Sequence, residues 1–119
     1  MPRILVVDDE PDQRLLLRRI FERAGYEVAE AQDGKDALAV VRKSPPDLLV
    51  TDMMMPVMGG AELIRRIRGE PAIAHIPVLA VSGDPHLAGA ADVVVAKPYD
   101  LHAVLAKADA LLKEGRGSR

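Results

Sequence analysis

The stretch Leu48-Leu49-Val50-Thr51-Asp52 is a short apolar run, typical of a buried β-strand, that ends in a carboxylate. Three other apolar runs also end in polar side chains: residues 4–7 lead into Asp8 and Asp9, residues 78–81 into Ser82, and residues 93–96 into Lys97. These runs alternate with segments of helical periodicity, the pattern of βαβ units around a parallel sheet. Because the carboxyl ends of parallel strands line one crevice, we expect the four polar tips to converge, with Asp52 as the reactive group.

The composition favours one cytoplasmic domain, expected over residues 1–115, with a flexible tail at 116–119. Apolar residues make up 49% of the 119 residues and aromatic residues only 3%, so the core must be aliphatic. The chain has no cysteine, which excludes disulfides and thiolate metal sites. The net charge of -2 gives no basic footprint for direct nucleic-acid binding, and the first apolar run is too short for a signal sequence or membrane span.

Hydrophobic periodicity and turn residues predict four helices and one further strand. The helices are expected at residues 11–24, 34–43, 61–68 and 100–113, and the strand, which resembles an edge strand, at 26–31. Asp100 is expected to cap the last helix and Gly115 to end it. Only ten residues, 83–92, join the last two strands, with two glycines and one proline, so we predict that a fourth crossover helix is absent or a single turn.

The polar tips suggest phosphoryl-transfer chemistry. Asp8, Asp9 and Asp52 would repel one another in one crevice unless a cation lay among them, and hard oxygen ligands without Cys or a His pair indicate Mg²⁺. A backbone carbonyl of the following loop can complete the metal shell. Lys97 and Ser82 can contact phosphoryl oxygens, and Asp52 can act as a nucleophile that forms an acyl phosphate. The alternative at this point is a structural acid cluster that only caps helices.

Several short motifs at the strand ends carry a family resemblance. They are Asp8-Asp9 followed by Glu10-Pro11, then Asp52 with Met55-Pro56, Met58 and Gly60, then Ser82-Gly83, and finally Lys97-Pro98-Tyr99. In this order they resemble the response-regulator receiver domain of two-component signalling, of the stand-alone chemotaxis type, over nearly the whole chain. The resemblance implies a flavodoxin-like, doubly wound α/β fold with a five-stranded parallel sheet of order 2-1-3-4-5.

The resemblance also implies the roles of the acidic residues. Asp52 would accept phosphate from the phosphohistidine of a histidine kinase or phosphotransfer protein. Mg²⁺ would be held by Asp9, Asp52 and the backbone carbonyl of Met54, with Asp8 assisting through water.

The remaining motif residues would respond to the phosphoryl group. Ser82 would move toward it, Lys97 would pair with it, and Gly83 would leave room for it and for an attacking water. The resemblance further implies a cis bond between Lys97 and Pro98, and a downstream protein partner that reads the phosphorylated state.

Two features depart from the family pattern. Val94 occupies the position three residues before the active-site lysine, where receivers usually carry an aromatic that swings between two states. The short connection at 83–92 belongs to the face through which the family signals. We therefore predict that residues 83–92 form a mobile loop whose order depends on phosphorylation, and the alternative is a permanently ordered loop with output through the first or last helix.

The leading hypothesis is a phosphoacceptor switch without a fused output domain, because the chain ends just past the last helix. It would regulate a partner protein or relay phosphate, catalysing only its own phosphorylation and dephosphorylation, and a homodimer is left open. The first alternative is a Mg²⁺-dependent aspartyl-phosphate phosphatase of the haloacid-dehalogenase type, but such enzymes need a second Asp where this chain has Met54. The second alternative, a pseudo-receiver that works without phosphorylation, conflicts with the complete set of site residues.

Overall fold

The computed structural model describes residues 1–84, 86 and 89–115. Within this part of the chain, five strands and four α-helices follow the predicted alternation. They are β1 (Arg3–Val7), α1 (Pro11–Arg23), β2 (Glu27–Ala31), α2 (Gly34–Lys43), β3 (Leu48–Asp52), α3 (Gly60–Arg68), β4 (Val78–Ser82), β5 (Val93–Ala96) and α4 (Leu101–Glu114). Each predicted element is present, and its bounds agree with the prediction to within about one residue.

The sheet is fully parallel and has the order β2-β1-β3-β4-β5, which confirms the predicted flavodoxin-like fold. Its registers bring the polar tips to one edge. Val7 of β1 pairs with Thr51 of β3, so Asp8 and Asp52 follow at the same level on adjacent strands. Because the chain order reverses between β1 and β3, this is the topological switch point, where open α/β sheets bind their ligands.

The core has one layer on each face of the sheet, because successive side chains of a strand point to opposite faces. In β1, Leu5 and Val7 pack against α2 and α3, whereas Ile4 and Val6 pack against α1 and α4. The helices contribute Ala37, Leu38, Val41, Leu63, Ile64 and Ile67 to the first layer, and Leu17, Phe21, Val104, Ala108 and Leu111 to the second. The central strands are therefore buried on both sides and hold the site on a rigid support.

Local chemistry explains where the helices begin. Pro11 takes the first position of α1, where its missing N–H costs no hydrogen bond. Asp33 caps α2 by accepting a hydrogen bond from the Asp36 N–H at 2.8 Å. Asp100 caps α4 as predicted, accepting from the His102 N–H at 2.8 Å, and its extended backbone places the first helical residue at Leu101.

The connection between β4 and β5 contains no α-helix among its described residues, 83–84, 86 and 89–92. Pro85, Leu87 and Ala88 lie outside the described residues, and so does the predicted tail at 116–119. In the same described part of the chain, no helix combines the length and the apolar character needed to span a membrane.

Candidate functional site

Asp52 is the last residue of β3 and is buried, with 7% of its surface exposed. Its Oδ1 accepts a hydrogen bond from the Met53 N–H at 2.8 Å and lies 3.1 Å from the ammonium Nζ of Lys97. Lys97 reaches this position because Ala96, the residue before it, pairs with Ser82 at the end of β4. The sheet therefore holds a carboxylate and a cation in contact at its carboxyl edge.

Asp8 and Asp9 join Asp52 in an acidic cluster. One carboxylate oxygen from each residue lies within 4.8 Å of the others. Asp8 is 2% exposed, and its Oδ1 accepts a hydrogen bond from the Glu10 N–H at 2.9 Å. Burial raises the pKa of Asp8 and repulsion from Asp52 and Asp9 adds to this, while the Glu10 N–H and the charge of Lys97 act in the opposite direction. The cluster thus has an unfavourable excess of negative charge.

The cluster fits a magnesium ion by its donor chemistry. Three carboxylates against one ammonium leave a negative excess, and Mg²⁺ prefers hard oxygen ligands of this kind. The burial that destabilises charged Asp8 would be offset by a divalent cation among the three oxygens. Met54 lies in the loop after β3 with 69% of its surface exposed, and the role of its carbonyl as a further ligand stays a prediction.

Ser82 ends β4 and is buried, but its hydroxyl is engaged with the following loop. The hydroxyl donates to the Asp84 carbonyl at 2.7 Å and accepts from the Asp84 N–H at 3.0 Å. A side chain at Gly83 would meet no heavy atom of the described residues within 4 Å, so packing in this part of the chain does not require glycine there. The movement of Ser82 and the role of Gly83 toward a phosphoryl group therefore stay predictions.

The segment after β5 agrees with the resemblance in one respect and departs from it in another. The Lys97–Pro98 peptide bond is cis, as the resemblance implies. Val94 pairs with Ala80 and is only partly buried, packing against the layer formed with α2 and α3. A valine there has no ring to rotate between an exposed and a buried position.

Two residues near the site were missed by the sequence analysis. Tyr99 appears there only as part of a motif, yet its hydroxyl donates to Gln13 Oε1 at 2.9 Å, and burial together with the charges of Asp8 and Asp52 raises the pKa of Tyr99 to about 12. Arg14 donates through Nη1 to the Asp8 carbonyl at 2.7 Å. For Arg14, the one signal in the sequence is that a cation lies in the helix that follows the acidic pair. For Tyr99 there is no local signal, because its partner Gln13 is 86 residues away.

Comparison with known proteins identifies the family. The family model described as "Response regulator receiver domain" matches residues 4–109. The chain is 36% identical over 118 residues to the sensor histidine kinase TmoS of Ectopseudomonas mendocina, covering 93% of this chain and 12% of that protein. It is 38% identical over 122 residues to the transcriptional regulatory protein PrrA of Mycobacterium tuberculosis, covering 98% of this chain and 52% of that protein. The chain thus spans about half the length of PrrA and much less of TmoS.

A solved structure agrees with these sequence matches. The response regulator TrrA of Thermotoga maritima, determined in complex with Mg²⁺-BeF, is similar to this chain with a TM-score of 0.85 and 32% identity. The similarity covers 93% of this chain and 99% of that one. The chain belongs to the response regulator receiver domain family of two-component signal transduction.

Proposed function

We propose that this domain is a phosphoacceptor switch in which Asp52 receives a phosphoryl group from a phosphohistidine of a histidine kinase or phosphotransfer protein. An Asp52 carboxylate oxygen attacks phosphorus, and the new O–P bond forms as the P–N bond to the donor imidazole breaks. The imidazole leaves with the electron pair and takes up a proton. The phosphorylated domain then regulates a protein partner or passes the group on, and attack of water on phosphorus returns Asp52 to its free form.

The observation that carries this proposal is the contact between Lys97 and Asp52, 3.1 Å apart beside the acidic cluster. A buried nucleophile next to an ammonium suits a reaction in which negative charge gathers on transferring oxygens. Asp8, Asp9, Asp52 and the Met54 carbonyl would hold Mg²⁺, which neutralises charge on the phosphoryl oxygens when bound. Lys97 would then turn from the Asp52 carboxylate to a phosphoryl oxygen.

The surroundings of the site suit a donor that is itself a protein. Leu16 on α1 is 49% exposed and lines a cavity of about 530 Å³ together with Gln13, Lys97, Pro98 and Tyr99. A small phosphodonor gains little from an apolar side chain beside a charged site. A protein that docks there gains apolar contact area. This surface therefore favours a histidine-bearing protein as the natural donor, and a small phosphodonor serves only as a chemical substitute for it in the test.

The test is incubation with Mg²⁺ and a small phosphodonor such as acetyl phosphate, followed by intact mass measurement. The proposal expects a mass gain of one phosphoryl group in the wild type. The gain should be absent in Asp52→Asn, and absent in the wild type when Mg²⁺ is chelated before the donor is added. Asp12→Asn is the matched control, since Asp12 is an exposed carboxylate in the first turn of α1, and it should be phosphorylated normally.

Other outcomes would support the alternatives. An absent adduct in the wild-type protein would favour a pseudo-receiver that acts without phosphorylation. Rapid turnover of added phosphomonoesters would favour a phosphatase, although Met54 occupies the position where such an enzyme needs its acid/base. Adduct formation in Asp52→Asn would show that another residue is the acceptor.

A further inference from the structure

Arg14 joins α1 to the ends of two strands. Its Nη1 donates to the Asp8 carbonyl at 2.7 Å, and its Nε donates to Glu30 Oε1 of β2 at the same distance. The side chain is 19% exposed, so it is held in a fixed place rather than spread over the surface. Arg14 therefore contacts the backbone that carries the acidic pair without belonging to the acidic cluster.

The peptide unit between Asp8 and Asp9 sets the backbone position from which the Asp9 side chain extends. The Asp8 N–H is fixed by the Ala31 carbonyl at 3.2 Å, and the Asp8 side chain is fixed by burial and by the Glu10 N–H. The Asp9 side chain is exposed, so little side-chain packing holds it, and the position of its Cβ is set by the backbone around the Asp8–Asp9 peptide. The Asp8 carbonyl belongs to that peptide, and Arg14 is its charge-assisted hydrogen-bond donor.

We infer that Arg14 is a positioning residue for the metal site, holding the Asp8–Asp9 peptide so that the Asp9 carboxylate faces the other two carboxylates. The inference rests on the proposed function and deepens it, because it names the residue that preorganises the Mg²⁺ ligands. Partners that orient the ligands of a metal commonly change its affinity by roughly 10- to 100-fold.

Electrostatics alone predicts the opposite effect, which makes the inference testable by sign. A guanidinium near the acidic cluster repels a divalent cation, so removing its charge would tighten Mg²⁺ binding if charge were its main influence. If Arg14 positions the ligands, the same change weakens Mg²⁺ binding. Arg14→Gln therefore separates the two effects.

Arg18 provides a matched control on the same helix. It pairs with Glu30, the carboxylate that Arg14 also binds, and with Glu22. Arg18→Gln removes the same formal charge and half of the Glu30 pairing but leaves the Arg14 contact with the Asp8 carbonyl in place. It should therefore leave Mg²⁺ affinity within about twofold of the wild type, since a partly exposed ion pair contributes little.

The experiment titrates four proteins with MgCl₂ and monitors their amide resonances by NMR. The proteins are the wild type, Arg14→Gln, Arg14→Lys and Arg18→Gln. Arg14→Gln should weaken Mg²⁺ binding roughly tenfold. Arg14→Lys should recover part of the loss, because an ammonium can donate to the Asp8 carbonyl but lacks the fixed geometry with which the guanidinium also binds Glu30. The rate of phosphorylation by acetyl phosphate should fall at low Mg²⁺ and return to near the wild-type rate at saturating Mg²⁺.

Unchanged or tighter Mg²⁺ binding in Arg14→Gln would overturn the inference, as would an equal loss in Arg18→Gln. If Arg14→Gln does not fold, Arg14→Lys takes its place. Weaker Mg²⁺ binding in Arg14→Lys than in Arg18→Gln supports the inference, and equal binding overturns it. A wild-type protein that binds Mg²⁺ but forms no aspartyl phosphate would contradict the proposed function, while the titrations would still decide the role of Arg14.

Discussion

Replacing Asp8 with asparagine should make the metal-free protein more stable. Asp8 is buried within 4.8 Å of two other carboxylates, and the substitution removes its charge while keeping an oxygen that can accept the Glu10 N–H. The raised pKa of Asp8 likewise indicates that its charged form is unfavourable in the folded protein. Its folded form binds a proton more tightly than its unfolded form, so the charged group opposes folding once the pH rises through its folded pKa.

The size of the effect follows from the distances. Two unit charges 4 Å apart repel by about 4 kcal/mol at an effective dielectric constant of 20, so a pair 4.8 Å apart costs about 3.5 kcal/mol. Lys97, which contacts Asp52 at 3.1 Å, offsets part of this, and solvent around the exposed Asp9 screens another part. We expect a net gain of about 1–2 kcal/mol for Asp8→Asn at neutral pH, shrinking as the pH falls toward the ordinary carboxyl pKa of 3.8.

Urea unfolding in EDTA, repeated with millimolar Mg²⁺, measures this balance. The wild type should gain stability with Mg²⁺, because a ligand that binds only the folded state stabilises it, and Asp8→Asn should gain much less. Asp12→Asn, which removes an exposed carboxylate near the α1 N-terminus, should be slightly destabilised and should respond to Mg²⁺ like the wild type. A less stable Asp8→Asn in EDTA, or an equal Mg²⁺ response in both proteins, would refute the reasoning.

Two further changes test the loop that follows Asp52. Val57 has a φ of 68° and is 77% exposed. Because asparagine tolerates this backbone better than valine, Val57→Asn should raise the free energy of unfolding, measured in urea, by about 1 kcal/mol. A lower free energy of unfolding would contradict strain at this residue. A Cβ at Gly60 would lie 2.6 Å from the Asp52 carbonyl oxygen, so Gly60→Ala should cost about 2–3 kcal/mol by the same measurement. Gly83→Ala, whose Cβ meets no atom of the described residues within 4 Å, should change the free energy of unfolding by at most about 0.5 kcal/mol. An equal cost of Gly60→Ala and Gly83→Ala would contradict the steric explanation.

The sequence was sufficient to predict the fold and the nearness of Asp8, Asp9, Asp52 and Lys97. The helix at 34–43 and the strand at 93–96 have the predicted bounds, because strong local signals such as the Ser44-Pro45-Pro46 stop agree with the hydrophobic period. The nearness of Asp52 to Lys97 needed only one more rule, that the carboxyl ends of parallel strands share an edge. Neither prediction depended on how individual side chains rotate.

The details that the sequence did not predict depend on tertiary contacts. Arg14 reads as an ordinary polar residue of α1, and its role appears only when β1 and β2 bring the Asp8 carbonyl and Glu30 within reach. Local preference predicts that Val57 avoids a left-handed backbone, but its φ in the loop after β3 is 68°. The contact of Ser82 with the Asp84 backbone depends on a freely rotating hydroxyl.

That contact of Ser82 bears on how phosphorylation of Asp52 would be sensed. To reach a phosphoryl oxygen, the hydroxyl must give up two hydrogen bonds to the Asp84 backbone, each with a net contribution of about 0.5–1.5 kcal/mol. A hydrogen bond to a charged phosphoryl group contributes about 1.5–3 kcal/mol, so the position of the hydroxyl on the Asp84 backbone and its position on the phosphoryl group are close in free energy. Because Asp84 lies in the connection to β5 and Val94 has no ring to rotate, the freed backbone at Asp84 would be the direct structural consequence of a Ser82 movement. If Ser82 moves as the resemblance implies, the signal would start in the β4–β5 connection, and a phosphorylation-dependent loop there stays a prediction.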